Sequence, residues 1–305
     1  MGASNSGIKH FKSISALMRY LGLPAPQHPL FTVVDYNKTP QLEINSEQKL
    51  SIDFYKISFK NRFSGKLKYG QDYYDFEEGG LAFLKSGQIV TPYVDLQSYE
   101  GYALYFHPDF IRKFPLGSEI KSYGFFSYNV SEALLLSAKE KPIIEQLFET
   151  INTESKENID QFSQDVLVSQ LTLLLNYSKR FYHRQFITRK EVNHEIINSL
   201  DQILEQYFQD KTGLEKGFPS VKFISEELRV SQRYLNDLLR ALTGNTTQQY
   251  IQQQLIEKAK ELLSVSSLSV AQIAYQLGFE HPQSFSKLFK SKTHFSPTEF
   301  KRSFE

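Results

Sequence analysis

The chain has 305 residues, with 35 Lys and Arg against 34 Asp and Glu, for a formal net charge of +1. A hydrophobic fraction of 40% and an aromatic fraction of 14%, with 25 Phe and 18 Tyr, exclude a disordered chain and leave room for two domains with cores of their own. The lack of cysteine excludes a disulfide scaffold, thiolate metal sites and a cysteine nucleophile, and the near-zero charge carries no whole-chain sign of a polyanionic partner.

Residues 1–7 have no apolar run behind a basic patch, so no secretory signal is expected. No segment approaches the roughly 18 uninterrupted apolar residues of a membrane span, and a soluble cytoplasmic protein is the expectation. The first 130 or so residues read as β. Residues 30–35, 50–59 and 101–106 are rich in aromatic and β-branched residues, and turn signals fall at 61–65, 69–70, 78–80 and 86–87. This punctuation predicts a compact barrel or double-sheet roll. Aromatic residues around 54–59, 73–76 and 102–106 either fill its core or line a pocket for a small ligand.

From Ser131 the pattern becomes helical, with amphipathic segments at 142–148 and 162–177. The second is apolar around much of its circumference, through Val166, Leu167, Leu171, Leu173, Leu174 and Leu175, and either packs on the β region or contributes a dimer interface. The basic run 180–190 leads into another helix near Glu191 and sets the predicted boundary between domains 1–180 and 181–305.

The last 85 residues hold an internal repeat. Ile224, Leu228 and Val230 match Ile273, Leu277 and Phe279 at an offset of 49. After one inserted residue, Leu235, Leu238, Leu239, Arg240, Thr243 and Tyr250 match Phe285, Leu288, Phe289, Lys290, Thr293 and Phe300 at an offset of 50. Each copy reads as a short helix, a tight turn and a second helix, with Gly278 or Arg229 in the turn and small Ala274 or Ser225 where the helices approach. The second helices leave Gln232, Arg233, Asn236, Asp237 and Arg240 exposed in one copy, and Gln283, Ser286, Lys287 and Lys290 in the other. These side chains can hydrogen-bond base edges and phosphates from one helix face in a major groove. The alternative is an ordinary solvated face. Residues 246–263 between the copies read as one helix of roughly 26 Å, a strut suited to two recognition helices in successive grooves.

At residues 270–279 (Val-Ala-Gln-Ile-Ala-Tyr-Gln-Leu-Gly-Phe), 284–290 (Ser-Phe-Ser-Lys-Leu-Phe-Lys) and 295–301 (Phe-Ser-Pro-Thr-Glu-Phe-Lys) the sequence resembles the arabinose-regulator (AraC) family of bacterial transcription regulators. Tyr234-Leu235, Gly244 and 259–263 support the resemblance, which spans about 221–301. It implies two helix-turn-helix units on one DNA face, joined to an N-terminal sensor or dimerisation domain that is often a cupin-type barrel. The implied fold is α+β: an N-terminal cupin-like barrel with a helical connector, then an all-α domain. Base-reading positions carry over onto Arg233, Asn236 and Asp237 in the first unit and Pro282, Gln283, Ser286 and Lys287 in the second. Asp237 departs from the basic residue common there, Gln254 stands where an arginine is usual, and His294 replaces a helix-ending glycine. Residues 26–30 and 106–110, each with a His-Pro pair, look like structural features of such N-terminal domains.

From Val221 onward there are 11 basic and 8 acidic residues, an excess of +3 concentrated at Lys287, Lys290, Lys292, Lys301 and Arg302. Phosphate contacts there are expected to be salt-sensitive. The N-terminal half offers His10, His28 and His107 with no close His-x-His pair, and no phosphate loop or nucleophile elbow appears, so no metal, cofactor or catalytic residue is expected. The expected function is a DNA-binding transcription regulator, not an enzyme. Its expected partners are promoter DNA, a second copy of the chain, RNA polymerase and an unidentified small-molecule effector. The alternative is a ligand-binding or enzymatic β-barrel protein whose helices make protein contacts.

Overall fold

Aromatic and β-branched residues in alternation set the N-terminal sheet. Strands β1 (Lys9–Phe11), β2 (Phe31–Asp35), β3 (Leu50–Ile52), β4 (Tyr55–Arg62), β5 (Lys66–Tyr69), β6 (Asp72–Asp75), β7 (Gly80–Leu84), β8 (Ile89–Val90), β9 (Glu100–Phe106) and β10 (Leu134–Leu135) are accompanied by helix α1 (Ile14–Tyr20). The computed structural model describes residues 8–39, 49–62, 66–69, 72–75, 79–90, 100–157, 160–210, 214 and 217–304. The chain divides into two units, Met1–Gln185 and Phe186–Glu305.

In the first unit, five antiparallel strands run in the order β10-β7-β4-β9-β2, beside a three-stranded sheet β1-β3-β8 and the hairpin β5-β6. The five-stranded sheet is open among the described residues, with β10 and β2 at its edges, so of the expected barrel or double-sheet roll a closed barrel is not seen there. Ile57 and Phe59 on β4 lie on one face with Tyr102 of β9, and the Phe148 ring sits 5.7 Å from both Phe59 and Tyr102. Val34, Ala103 and Tyr105 pack with Ile14, Leu17 and Met18 of α1 and with Phe54. The aromatic residues at 54–59 and 102–106 are therefore mostly core, while the side chains at 73–76 lie outside the described residues.

Three expectations are corrected. Residues 50–59 are two strands in different sheets, because the chain breaks at Asp53 and Phe54. Asp53 accepts from the His10 ring at 2.7 Å, and Phe54 is buried in the α1 cluster. The run of strands ends at Phe106, with only the two-residue β10 beyond it among the described residues. Short helices α2 (Pro108–Ile111) and α3 (Pro115–Glu119) follow, each started by a proline whose missing N–H costs nothing there, and then come 3₁₀ turns up to Glu132. The His-Pro segments organise this region: His107 N–H donates to Leu30 O at 2.8 Å, and the His28 and Phe110 rings meet edge-on at 5.1 Å.

The third correction concerns the connector. Helix α4 (Lys141–Glu154) is followed by α5 (Ser163–Thr188), which does not end near residue 177 as expected but runs through most of the basic stretch. Phe181, Tyr182, Gln185 and Phe186 are buried at helical spacing there, and the basic residues occupy the remaining turns. The second unit continues with α6 (Lys190–Gln209), α7 (Val221–Glu227), α8 (Gln232–Thr243), α9 (Thr247–Val265), α10 (Val270–Gln276), α11 (Pro282–Thr293) and α12 (Pro297–Arg302). One apolar core joins them through Leu200 and Leu204 of α6, Ile224, Leu235, Leu239, Ile251, Leu255, Ile273, Phe285 and Phe289. No described helix is long and apolar enough to cross a membrane.

Candidate nucleic-acid interface

The two copies of the repeat share their turn chemistry. In the first, α7 is capped by Ser220, and Arg229 takes φ +56° so that Val230 N–H donates to Ser225 O at 3.0 Å. In the second, α10 is capped by Ser269 with Gln272 completing a reciprocal pair, Gly278 takes φ +88°, and Phe279 N–H donates to Ala274 O at 3.0 Å. Ser225 and Ala274 are both buried at the helix crossing. A left-handed residue costs little at Gly278 and strains the backbone at Arg229.

Helices α8 and α11 then begin at Ser231 and His281 and end in left-handed residues, Gly244 (φ +75°) and His294 (φ +67°). Thr243 and Thr293 return their hydroxyls to Leu239 O and Phe289 O, both at 2.8 Å. Thr246 with Gln249 and Ser296 with Glu299 form matching capping boxes on α9 and α12. The repeat therefore extends from side chains to caps.

Of the residues expected to face DNA, Gln232, Arg233, Arg240, Gln283, Lys287 and Lys290 are exposed, whereas Asn236, Asp237, Pro282 and Ser286 are half-buried. Asn236 Oδ1 accepts from Thr247 N–H at 3.4 Å, and Ser286 Oγ donates to Pro282 O at 3.0 Å, so both side chains are used within the protein. Arg233 Nε donates to Asp237 Oδ2 at 3.0 Å.

The charge excess is redistributed by pairing. Lys222, Arg233, Lys258 and Lys260 each pair with a carboxylate, from Glu226, Asp237, Glu205 with Glu261, and Glu257. Lys301, counted among the phosphate-seeking cations, instead donates to Leu268 O at 2.7 Å and Ser266 O at 3.4 Å, because α12 folds back on the α9–α10 connection. Among the described residues, Arg240, Lys287, Lys290 and Lys292 make no ion pair. Three of those four lie on α11. The Thr247 N–H and the Lys301 contacts carried no sequence signal, since each joins elements whose spacing only the fold sets. No cluster of three or more His, Asp or Glu able to hold a metal ion occurs among the described residues.

A family model for a helix-turn-helix domain matches residues 224–303. Histidine kinase P4 of Formosa agariphila is 33% identical over 125 residues, 40% of this chain and 9% of the kinase. The HTH-type transcriptional activator RhaS of Escherichia coli O139:H28 is 31% identical over 140 residues, 46% of this chain and 46% of the activator. The chain thus spans less than half the length of these curated relatives. Among solved structures, the C-terminal domain of the two-component response regulator yesN from Fusobacterium nucleatum is 29% identical, covering 34% of this chain and 95% of that one with a TM-score of 0.30. The homologues thus include a helix-turn-helix transcription activator, and residues 224–303 match the helix-turn-helix family model.

Proposed function

We infer that the chain is a sequence-specific DNA-binding transcription regulator of the AraC type, working in the cytoplasm as a homodimer, with α8 and α11 reading adjacent major grooves. The observation that carries this is the duplicated helix–turn–helix, with the same turn hydrogen bond at Val230 and Phe279, in the region matched by the helix-turn-helix family model. The N-terminal unit, read as a cupin-like double sheet, serves as a sensor and dimerisation domain, and RNA polymerase is the partner on the promoter. It is a binding protein, not an enzyme.

The test is footprinting and titration of the full chain on its own upstream DNA across a salt series. Specific protection, with affinity falling steeply as salt rises, is expected. Equal affinity for random DNA would sink the reading and favour a helical unit that makes protein contacts. Gln283→Ala is expected to cost about 1–3 kcal/mol at one base position only, whereas Lys290→Ala weakens all sequences alike and lowers the salt slope by about one. Unchanged binding in both variants would place the reading face elsewhere.

A further inference from the structure

We propose that Arg233 is a pre-positioned guanine reader and Asp237 the residue that positions it, so that α8 presents an ordered base-reading edge. This rests on the DNA-reading function above and names the base class that one of its two helices takes. The basis is a line of hydrogen bonds across one helix face. Thr247 N–H, at the start of α9, donates to Asn236 Oδ1 at 3.4 Å; Asn236 Nδ2 reaches Asp237 Oδ1 at 3.5 Å; and Asp237 Oδ2 accepts from Arg233 Nε at 3.0 Å. The first two links are long and weak, while the last, between Arg233 and Asp237, is charge-assisted.

Arg233 is the second residue of α8, where the positive end of the helix dipole disfavours a cation. Asp237, one turn later and half-buried, offsets that field and holds the guanidinium in one orientation. With Nε committed, the edge formed by the two terminal amino groups remains, and among the described residues it donates to no other protein atom. That edge is a planar pair of donors, the complement of guanine N7 and O6 in the major groove. A side chain already ordered loses less freedom when it meets a base, which sharpens discrimination.

The second unit lacks this device. The offset of 50 puts Gln283 and Lys287 where Arg233 and Asp237 stand, and Ser286, in place of Asn236, turns back to Pro282 O. The α11 cations Lys287, Lys290 and Lys292 make no ion pair among the described residues and, as compact charges on long stems, suit phosphates.

The experiment selects duplexes from a random pool with the full chain, then measures affinity for the selected duplex and for copies with each guanine replaced. Arg233→Ala is expected to erase the preference for one guanine. Asp237→Ala is expected to reduce that preference on the order of tenfold while raising affinity for unrelated DNA, because a carboxylate has left the phosphate-facing side. Asp237→Glu should restore the preference, and adding Asp237→Ala to Arg233→Ala should change it no further, since Asp237 acts through Arg233. Full guanine preference in Asp237→Ala, with a uniform affinity gain, would overturn the positioning role. A wild-type chain that selects no sequence at all would overturn the proposal through its premise, an outcome distinguished by needing no variant.

Discussion

Gly278 and Arg229 hold the same place in the two turns and make opposite demands. A Cβ on Gly278 would lie 2.3 Å from Gly217 O, against backbone that has no side chain to yield. Gly278→Ala is therefore expected to destabilise the second unit by at least about 2 kcal/mol, read from its urea midpoint. At Arg229 the left-handed strain of about 1–2 kcal/mol is already present, so Arg229→Gly should stabilise the domain by roughly 0.5 kcal/mol after the added chain entropy is subtracted, seen as a higher midpoint. The sequence marked both positions as turns, and the tolerance of His for left-handed geometry at His294 was legible too. What it could not carry was the approach of Gly217, about 60 residues away and outside the repeat. Nor could it carry the bond from Thr247 N–H to Asn236 Oδ1, which joins two helices whose approach only the fold sets.

An ion pair ties α5 to Glu140, the N-cap residue of α4. Arg184 grips Glu140 through both its Nε, at 3.0 Å from Oε1, and a terminal amino group on Oε2, and that amino group also donates to Leu135 O at 2.8 Å. Burial pushes the Glu140 carboxyl upward, but the Arg184 bonds and the Ser137 N–H outweigh it, and its pKa falls below the ordinary 4.5. A depressed carboxyl stabilises the fold above its unfolded value and loses that contribution as pH drops through the folded one. The first unit's melting temperature should thus fall as pH is lowered below about 4.5, and Glu140→Gln should flatten that fall while costing about 1–2 kcal/mol at neutral pH. The sequence marked both helices but ended α5 too early. Charged residues between Phe181, Tyr182 and Phe186 masked a period that the buried rings make plain. Strands β2 and β9 were legible because their apolar runs are bounded by turns; β1 and α1 were not, since Lys9–Phe11 pairs in parallel with a strand about 40 residues on.

At the scale of the whole chain, two units with separate cores are expected to give two calorimetric transitions. Acid should lower the one that contains Glu140, and selected duplex DNA should raise only the one that contains α8 and α11, by mass action. A single transition that DNA shifts as a whole would contradict this division. The formal charge of +1 said nothing of DNA because it sums the whole chain, whereas Lys287, Lys290 and Lys292 stand together on α11 and four other cations of the C-terminal unit are matched by carboxylates. The Thr247–Asn236–Asp237–Arg233 line also bears on how operator preference drifts over generations. A single exchange along that line leaves its neighbours misdirected, so new preferences in α8 require concerted replacements. Helix α11, whose Gln283 and Lys287 answer to no such chain, is free to change one residue at a time.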